Sequence, residues 1–252
     1  MKGKCFIGTS GWSYDHWTGV FYPLDLKPSG RLAFYINNFN TVEINNTFYR
    51  LPSPSAFKGW RETAPKGFIY ALKGSRFITH MKKLKDPEEP LSLFLERASL
   101  LKNNLGPMLF QLPPHWKCNL SRLEEFIKFL PANRRFAIEF REPSWFNKGV
   151  YDLLRERGIA LCIYHMPEAE LRPFSSGFES PLEVTAKFVY IRFHGTEYLY
   201  GGRYSKDELL RWADKIKEFI KMGRDVYIYF NNDAYGYAVI NAKELMEMVG
   251  VK

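Results

Sequence analysis

The chain has 252 residues, 46% hydrophobic and 25% charged, which is the composition of a folded globular protein and excludes a disordered one. Lysine and arginine total 36 against 27 aspartates and glutamates, a net charge of +9 that favours anionic partners. There is no run of about 18 apolar residues, so no membrane span is expected, and the three-residue apolar run Cys5–Ile7 before Gly8 is too short for a signal peptide.

Taken in chain order, short β-rich runs bounded by turn residues alternate with helical patterns. CFIGT (Cys5–Thr9) reads as a first strand, and Arg31–Phe39 carries Leu32, Tyr35, Ile36 and Phe39 at helical spacing. TVEIN (Thr41–Asn45) is the second strand, and Ser53–Pro54 offers a cap and a first-turn proline ahead of Phe57 and Trp60. IYALK (Ile69–Lys73) is the third, followed by the Leu-rich amphipathic stretch Leu91–Leu105. PMLFQL (Pro107–Leu112) is the fourth, and Asn119 or Ser121 caps a helix carrying Leu123, Phe126, Ile127 and Leu130. RFAIEF (Arg135–Phe140) is the fifth, with a helix over Val150–Gly158 that stops on glycine. IALCIY (Ile159–Tyr164) is the sixth, and Pro167, Pro173 and Pro181 break any long helix in Met166–Lys187 behind it. FVYIRF (Phe188–Phe193) is the seventh; Ser205 and Glu208 then have capping-box spacing ahead of Leu209, Trp212, Ile216 and Phe219. VYIYF (Val226–Phe230) is the eighth strand, and Asn241–Val249 is the closing helix.

Most of these strands are nearly continuous apolar runs, as parallel strands covered on both faces must be. They recur about every 32 residues, the length of a βα unit. Eight such units predict an α/β protein with a single TIM-type (β/α)8 barrel over residues 1–252, with an irregular sixth unit. A doubly wound open sheet is the alternative, but the first loop, GTSGWSYDHW, is neither G-x-G-x-x-G nor a P-loop. Three cysteines (Cys5, Cys118, Cys162) without CxxC spacing argue against a zinc ribbon or a disulfide framework, and fit a reducing cytoplasm.

A barrel places its active site at the C-terminal ends of the strands. Those ends supply Thr9 and Ser10, Glu43 and Asn45, Lys73, Gln111, Glu139 and Arg141, Tyr164 and His165, Arg192 and His194, and Asn231 and Asp233. Glu43, Lys73, Glu139 and Arg192 are charges within apolar strands, so they need partners or a water-filled mouth. The loops at this end are aromatic and basic. The first carries Trp12, Tyr14, His16 and Trp17; the third reads KGSRFITHMKKLK, with no acid before Asp86; the seventh, HGTEYLYGGRYS, carries Arg203. Cations interleaved with aromatics suit a polyanion with stackable bases or sugars.

The motifs GTSGW, FNTVEINNTFYRLPS, KGSRFITH, LFQLPP, AIEFREPSWF, YIRFHG and YFNND, in that order along nearly the whole chain, resemble the YecE-like family, domain of unknown function number seventy-two. The resemblance implies a TIM-type barrel and carries no assigned reaction. A likeness of the family's surface to sugar-phosphate-isomerase-like barrels and apurinic endonucleases implies, by fold-level analogy, nucleic-acid binding. The positions inside the motifs are Trp12, Glu43, Lys73, Gln111, Glu139, Arg141, Trp145, Arg192, His194, Asn231 and Asp233.

Four functions follow from these residues. The first is binding of nucleic acid or another phosphorylated compound, with hydrolysis of a phosphodiester or related ester. Lys73, Arg76, Arg141, Arg192 and Arg203 would hold phosphates, and Trp12, Trp17 and Trp145 would stack. Gln111 and Asn231 would add polar contacts. Glu43 or Glu139 would serve as base, His194 as acid or hydrogen-bond donor, with Asp233 in the same catalytic set. The second is glycoside hydrolysis by Glu43 and Glu139. The third uses a loosely held divalent cation on ligands drawn from Glu43, Glu139, His165, His194 and Asp233; five histidines are too few for a zinc cluster. The fourth is a non-catalytic scaffold, marked by an exposed apolar patch.

Overall fold

A computed structural model describes residues 2–167 and 180–251. It contains all eight expected strands: β1 (Cys5–Thr9), β2 (Thr41–Ile44), β3 (Ile69–Lys73), β4 (Leu105–Gln111), β5 (Phe136–Glu139), β6 (Ala160–His165), β7 (Phe188–Phe193) and β8 (Asp225–Phe230). They form one sheet in the order β1-β8-β7-β6-β5-β4-β3-β2. The two strands at the ends of that order, β1 and β2, meet through a parallel bridge between Ser10 and Glu43, and the Gly11 N–H donates to the Glu43 carbonyl at 2.8 Å. This is the α/β TIM-type barrel fold.

By their contacts the residues fall into two compact units. The first comprises 1–43, 163–182 and 188–252, and the second 44–162 and 183–187.

In the first unit β8 runs parallel between β1 and β7, pairing Thr9 with Phe230 and Phe193 with Phe230. Phe193 stacks on Phe230 at 4.6 Å and meets the edge of Trp212 at 5.0 Å. Helix α1 (Arg31–Ile36) buries Tyr35, whose hydroxyl accepts from the Thr9 N–H (2.8 Å) and donates to the Thr41 carbonyl (3.1 Å). A Cβ at Gly8 would lie 2.1 Å from the Thr41 oxygen, so only glycine lets these backbones approach. Ser205 and Glu208 form the expected capping box at the start of α7 (Lys206–Lys221). The last helix, α8 (Tyr237–Val249), begins four residues before the expected Asn241, directly after the left-handed Gly236.

In the second unit β3, β4 and β5 are parallel neighbours, with Lys73 beside Leu109 and Gln111 beside Glu139. A short turn of helix, α2 (Asn46–Tyr49), precedes α3 (Pro54–Thr63), whose cap Ser53 accepts from the Ala56 N–H. Helix α4 spans Glu88–Ser99, not Leu91–Leu105: the Asn-rich turn Lys102–Asn104 ends the helical run and Leu105 already belongs to β4. Asn119, not Ser121, caps α5 (Leu120–Lys128). Helix α6 (Lys148–Arg157) closes on left-handed Gly158. After β3 the chain makes a π-helical turn over Phe77–Met81, with left-handed backbone at Lys83, Leu84 and Asp86 just beyond it. Such turns and strained residues concentrate at functional sites. Of the irregular sixth connection, residues 168–179 lie outside the described residues; where the chain returns, Thr185 accepts from the Leu161 N–H at 2.7 Å.

All three cysteines are free thiols; Cys162 is fully buried, and burial pushes the Cys5 thiol up to about 12. Among the described residues no helix is long and apolar enough to cross a membrane.

The Ser205 cap satisfies an otherwise orphaned N–H of α7. Ser205→Ala should lower the free energy of unfolding by about 1 kcal/mol and Ser205→Gly by only a few tenths, read by urea denaturation.

Candidate functional site

The polar strand ends of the first unit are organised around a buried carboxylate. Glu43 and Arg192 are both without solvent exposure, and Arg192 Nη2 donates to Glu43 Oε1 at 2.8 Å. Ser10 Oγ donates to the same oxygen, Tyr190 OH donates to Oε2 at 2.6 Å, and Arg192 Nη2 reaches Ser10 Oγ at 3.3 Å. Burial, and next the Glu43 charge, hold the Tyr190 phenol well above its usual range. These contacts occupy both carboxylate oxygens, so Glu43 is an acceptor in an interior network rather than an open acid or base.

Three further expected residues sit at the ends of β7 and β8. His194 is fully buried, and its Nδ1 lies 3.2 Å from Asn231 Nδ2. An amide N–H₂ can only donate, so Nδ1 is the acceptor and the ring proton is on Nε2. The Asp233 carbonyl accepts from His16 Nε2 at 2.8 Å and from Trp17 Nε1 at 3.2 Å. Its carboxylate stands 3.7 Å from His16, and burial raises its pKa. His165 Nδ1 contacts Tyr204 OH at 2.9 Å; that hydroxyl donates to the Gly195 carbonyl, so the imidazole is the donor.

The second unit gathers a different set. Glu139, at the end of β5, is fully buried; Arg141 Nε donates to its Oε1, and Cys162 Sγ lies 3.6 Å from its Oε2. Lys73, at the end of β3, is 8% exposed, with its ammonium 4.3 Å above the Phe48 ring. The same ring meets His80 edge-on at 5.1 Å. Burial, followed by the positive charges of Lys73, Arg76 and Arg141, pushes the His80 imidazole down to about 4. Arg76 is exposed, as are Tyr49, Phe77 and Met81 on α2 and the π-turn.

The structure corrects two stacking expectations. Trp17 and Trp145 are fully buried. Trp17 packs in a T against Phe21, and Trp145 lies flat on Phe140 at 4.8 Å with its N–H on the Trp116 carbonyl. With no exposed surface, neither ring is available to a ligand. Trp12 is partly exposed. Arg203 reaches out to Glu244 at 2.5 Å on α8. Gln111 is partly exposed, and its amide makes only a 3.5 Å contact with the Leu112 carbonyl. Among the described residues no three His, Cys, Asp or Glu side chains stand together as a metal ion requires. His80 was not among the residues singled out in the sequence, where it reads as a lone loop histidine; the signal was its place in KGSRFITH, three residues after the π-turn begins.

Parallel strands in this order, with charged residues buried at their C-terminal ends, define a TIM-type barrel with a polar strand-end region. The chain belongs to the family described as "Protein of unknown function DUF72", whose model matches residues 6–252. It is 26% identical to the UPF0759 protein YunF of Bacillus subtilis, over 98% of this chain and 95% of that one. It is 30% identical to the UPF0759 protein YecE of Escherichia coli K12, over 61% of this chain and 54% of that one. The crystal structure of a DUF72 family protein from Thermotoga maritima superposes with a TM-score of 0.88 at 30% identity, covering 98% of this chain and 99% of the other.

Two predictions follow from these geometries. Arg192→Met alone leaves Glu43 buried without its cation, which should cost about 3–5 kcal/mol by chemical denaturation; the double variant Glu43→Leu/Arg192→Met should recover most of that loss. For His80, a folded pKa of about 4 lies below the unfolded value near 6.5. Between these values the unfolded chain binds more protons, so stability rises with pH across that window and is lost on acidification. His80→Gln should flatten the dependence in melting curves taken from pH 7 to pH 4.

Proposed function

We propose that the protein binds a phosphorylated anion at the cationic strand ends of the second unit. The observation that carries this reading is the convergence of Lys73, Arg76 and Arg141 on one imidazole, which they help to hold neutral. Burial is the larger cause of that suppression, and the three cations add a positive field that a phosphate would relieve. Arginine supplies planar donors for two oxygens and lysine a point charge. The exposed Tyr49 and Phe77 beside these cations offer ring faces for a base or sugar, so nucleic acid belongs to the ligand class. The reaction that suits such a ligand is hydrolysis of a phosphate ester.

The glycosidase alternative has less support. That chemistry requires two carboxyl groups open to a sugar, whereas Glu43 and Glu139 are both fully buried and each is held by an arginine.

The test is calorimetric titration with inorganic phosphate, together with anisotropy of a labelled single-stranded oligonucleotide across salt. Wild-type protein should bind both, with affinity falling as salt rises. Lys73→Ala/Arg76→Ala should weaken each by about tenfold or more, and should make the log–log salt slope for the oligonucleotide shallower by about 1.4. Binding that is indifferent to salt and to the double variant overturns the reading.

A further inference from the structure

We infer that the free Nε2 lone pair of His80 selects the protonation state of the bound group: the ligand is an oxyanion that still carries an O–H, a phosphate monoester end or inorganic phosphate, and not a proton-free oxyanion such as sulfate. This deepens the anion reading above and rests on it.

The geometry begins with Thr79, a buried residue of the π-turn. Its hydroxyl lies 3.1 Å from the Ser75 carbonyl and 2.9 Å from His80 Nδ1. A carbonyl only accepts, and a hydroxyl has one proton. Both contacts are hydrogen bonds in a single arrangement: Thr79 donates to Ser75, and His80 Nδ1–H donates to Thr79. That arrangement assigns the ring as the Nδ1–H tautomer, with an unprotonated Nε2 to which no described residue donates. Phe48 fixes the ring plane edge-on and carries Lys73 over its own face, so imidazole and ammonium share one platform. Both residues belong to the π-turn, where Thr79 is buried against Ser75 and His80 meets the Phe48 edge.

The surrounding charges keep that lone pair available. With burial first and then Lys73, Arg76 and Arg141 acting on it, the imidazole is neutral at pH 7. An incoming anion thus meets cations that take its charge and one acceptor that asks for a proton. Phosphate retains a proton at neutral pH, and a monoester, with a second ionisation near pH ~6, retains one in part. Sulfate and the phosphodiester backbone retain none, and would set oxygen lone pairs against the Nε2 lone pair. Specificity then comes from a repulsive element as much as from an attractive one. The site should prefer a 5′-phosphorylated end over the internal linkages of the same strand.

The experiment is titration of the full-length protein with phosphate and with sulfate at pH 7 and constant ionic strength, alongside long-range ¹H–¹⁵N spectra of the histidine rings. Wild type should favour phosphate by about tenfold or more, the size of one hydrogen bond to a charged group. His80→Ala should bring the two anions to within about twofold by tightening sulfate and weakening phosphate, and Thr79→Val should reduce the preference without changing the charge. In the unliganded wild type the His80 signals should show the neutral Nδ1–H form; this reading needs no variant to fold. Equal binding of phosphate and sulfate by wild type, or an Nε2–H tautomer, overturns the inference and leaves the anion site standing. Binding of neither anion overturns the anion site itself, and this inference with it.

Discussion

The ion pair between Glu43 and Arg192 has no exposure on either side chain, so each charge must be solvated by protein. That requirement organises the first unit. Ser10 at the end of β1, Glu43 on β2 and Tyr190 and Arg192 on β7 are drawn to one point, and the Ser10–Glu43 bridge that joins the ends of the strand order is made of the same residues. Buried pairs of this kind add little net stability over an apolar replacement, but strongly penalise any arrangement that separates them. Their effect here is on register: a one-residue slip of β2 would turn Glu43 away from Arg192.

The second unit uses its charges differently. Glu139 is held by Arg141, yet Lys73 and Arg76 add positive charge to the same neighbourhood, and together with burial they keep an imidazole neutral. A folded protein tolerates such imbalance where a ligand completes it, which is the sense in which strand-end electrostatics speaks for binding more than the network around Glu43 does. The π-turn and the left-handed residues after it belong to the same picture, since they hold an unusual backbone where the cations are displayed.

Much of this was legible in the sequence. The eight strands were marked because a parallel strand buried on both faces must be a short, nearly uninterrupted apolar run; β1, β3 and β7 have the very ends that the runs suggested. The charges at strand ends were legible for the converse reason, since a Glu within TVEI or an Arg within FVYIRF has no apolar excuse. Periodicity misled at α4, where a Leu-rich pattern continued past Ser99 into residues that open β4. It was silent on the π-turn, because one inserted residue leaves no repeat to detect. The tryptophans show a different limit: a ring in a loop motif is equally consistent with a ligand platform and with a plug, and only the packing of Phe140 and Trp116 against Trp145 decides. His80 was overlooked for a similar reason, its meaning residing in the Thr79 hydroxyl and the Phe48 ring.

The free thiols have a consequence for how the molecule reports its own opening. Cys5 lies in the first unit with its ionisation suppressed by burial, and Cys162 lies fully buried in the second, against the Glu139 carboxylate. The thiolate is the reactive form, so the partly buried Cys5 reacts slowly with alkylating reagents, and burial shields Cys162 while its strand is closed. Each reacts faster when its own part of the sheet parts from its neighbours, so their labelling rates respond to separate local unfolding free energies. Without any engineered probe, the native sequence carries a chemical clock in each compact unit, with the partly buried Cys118 a further thiol of the second.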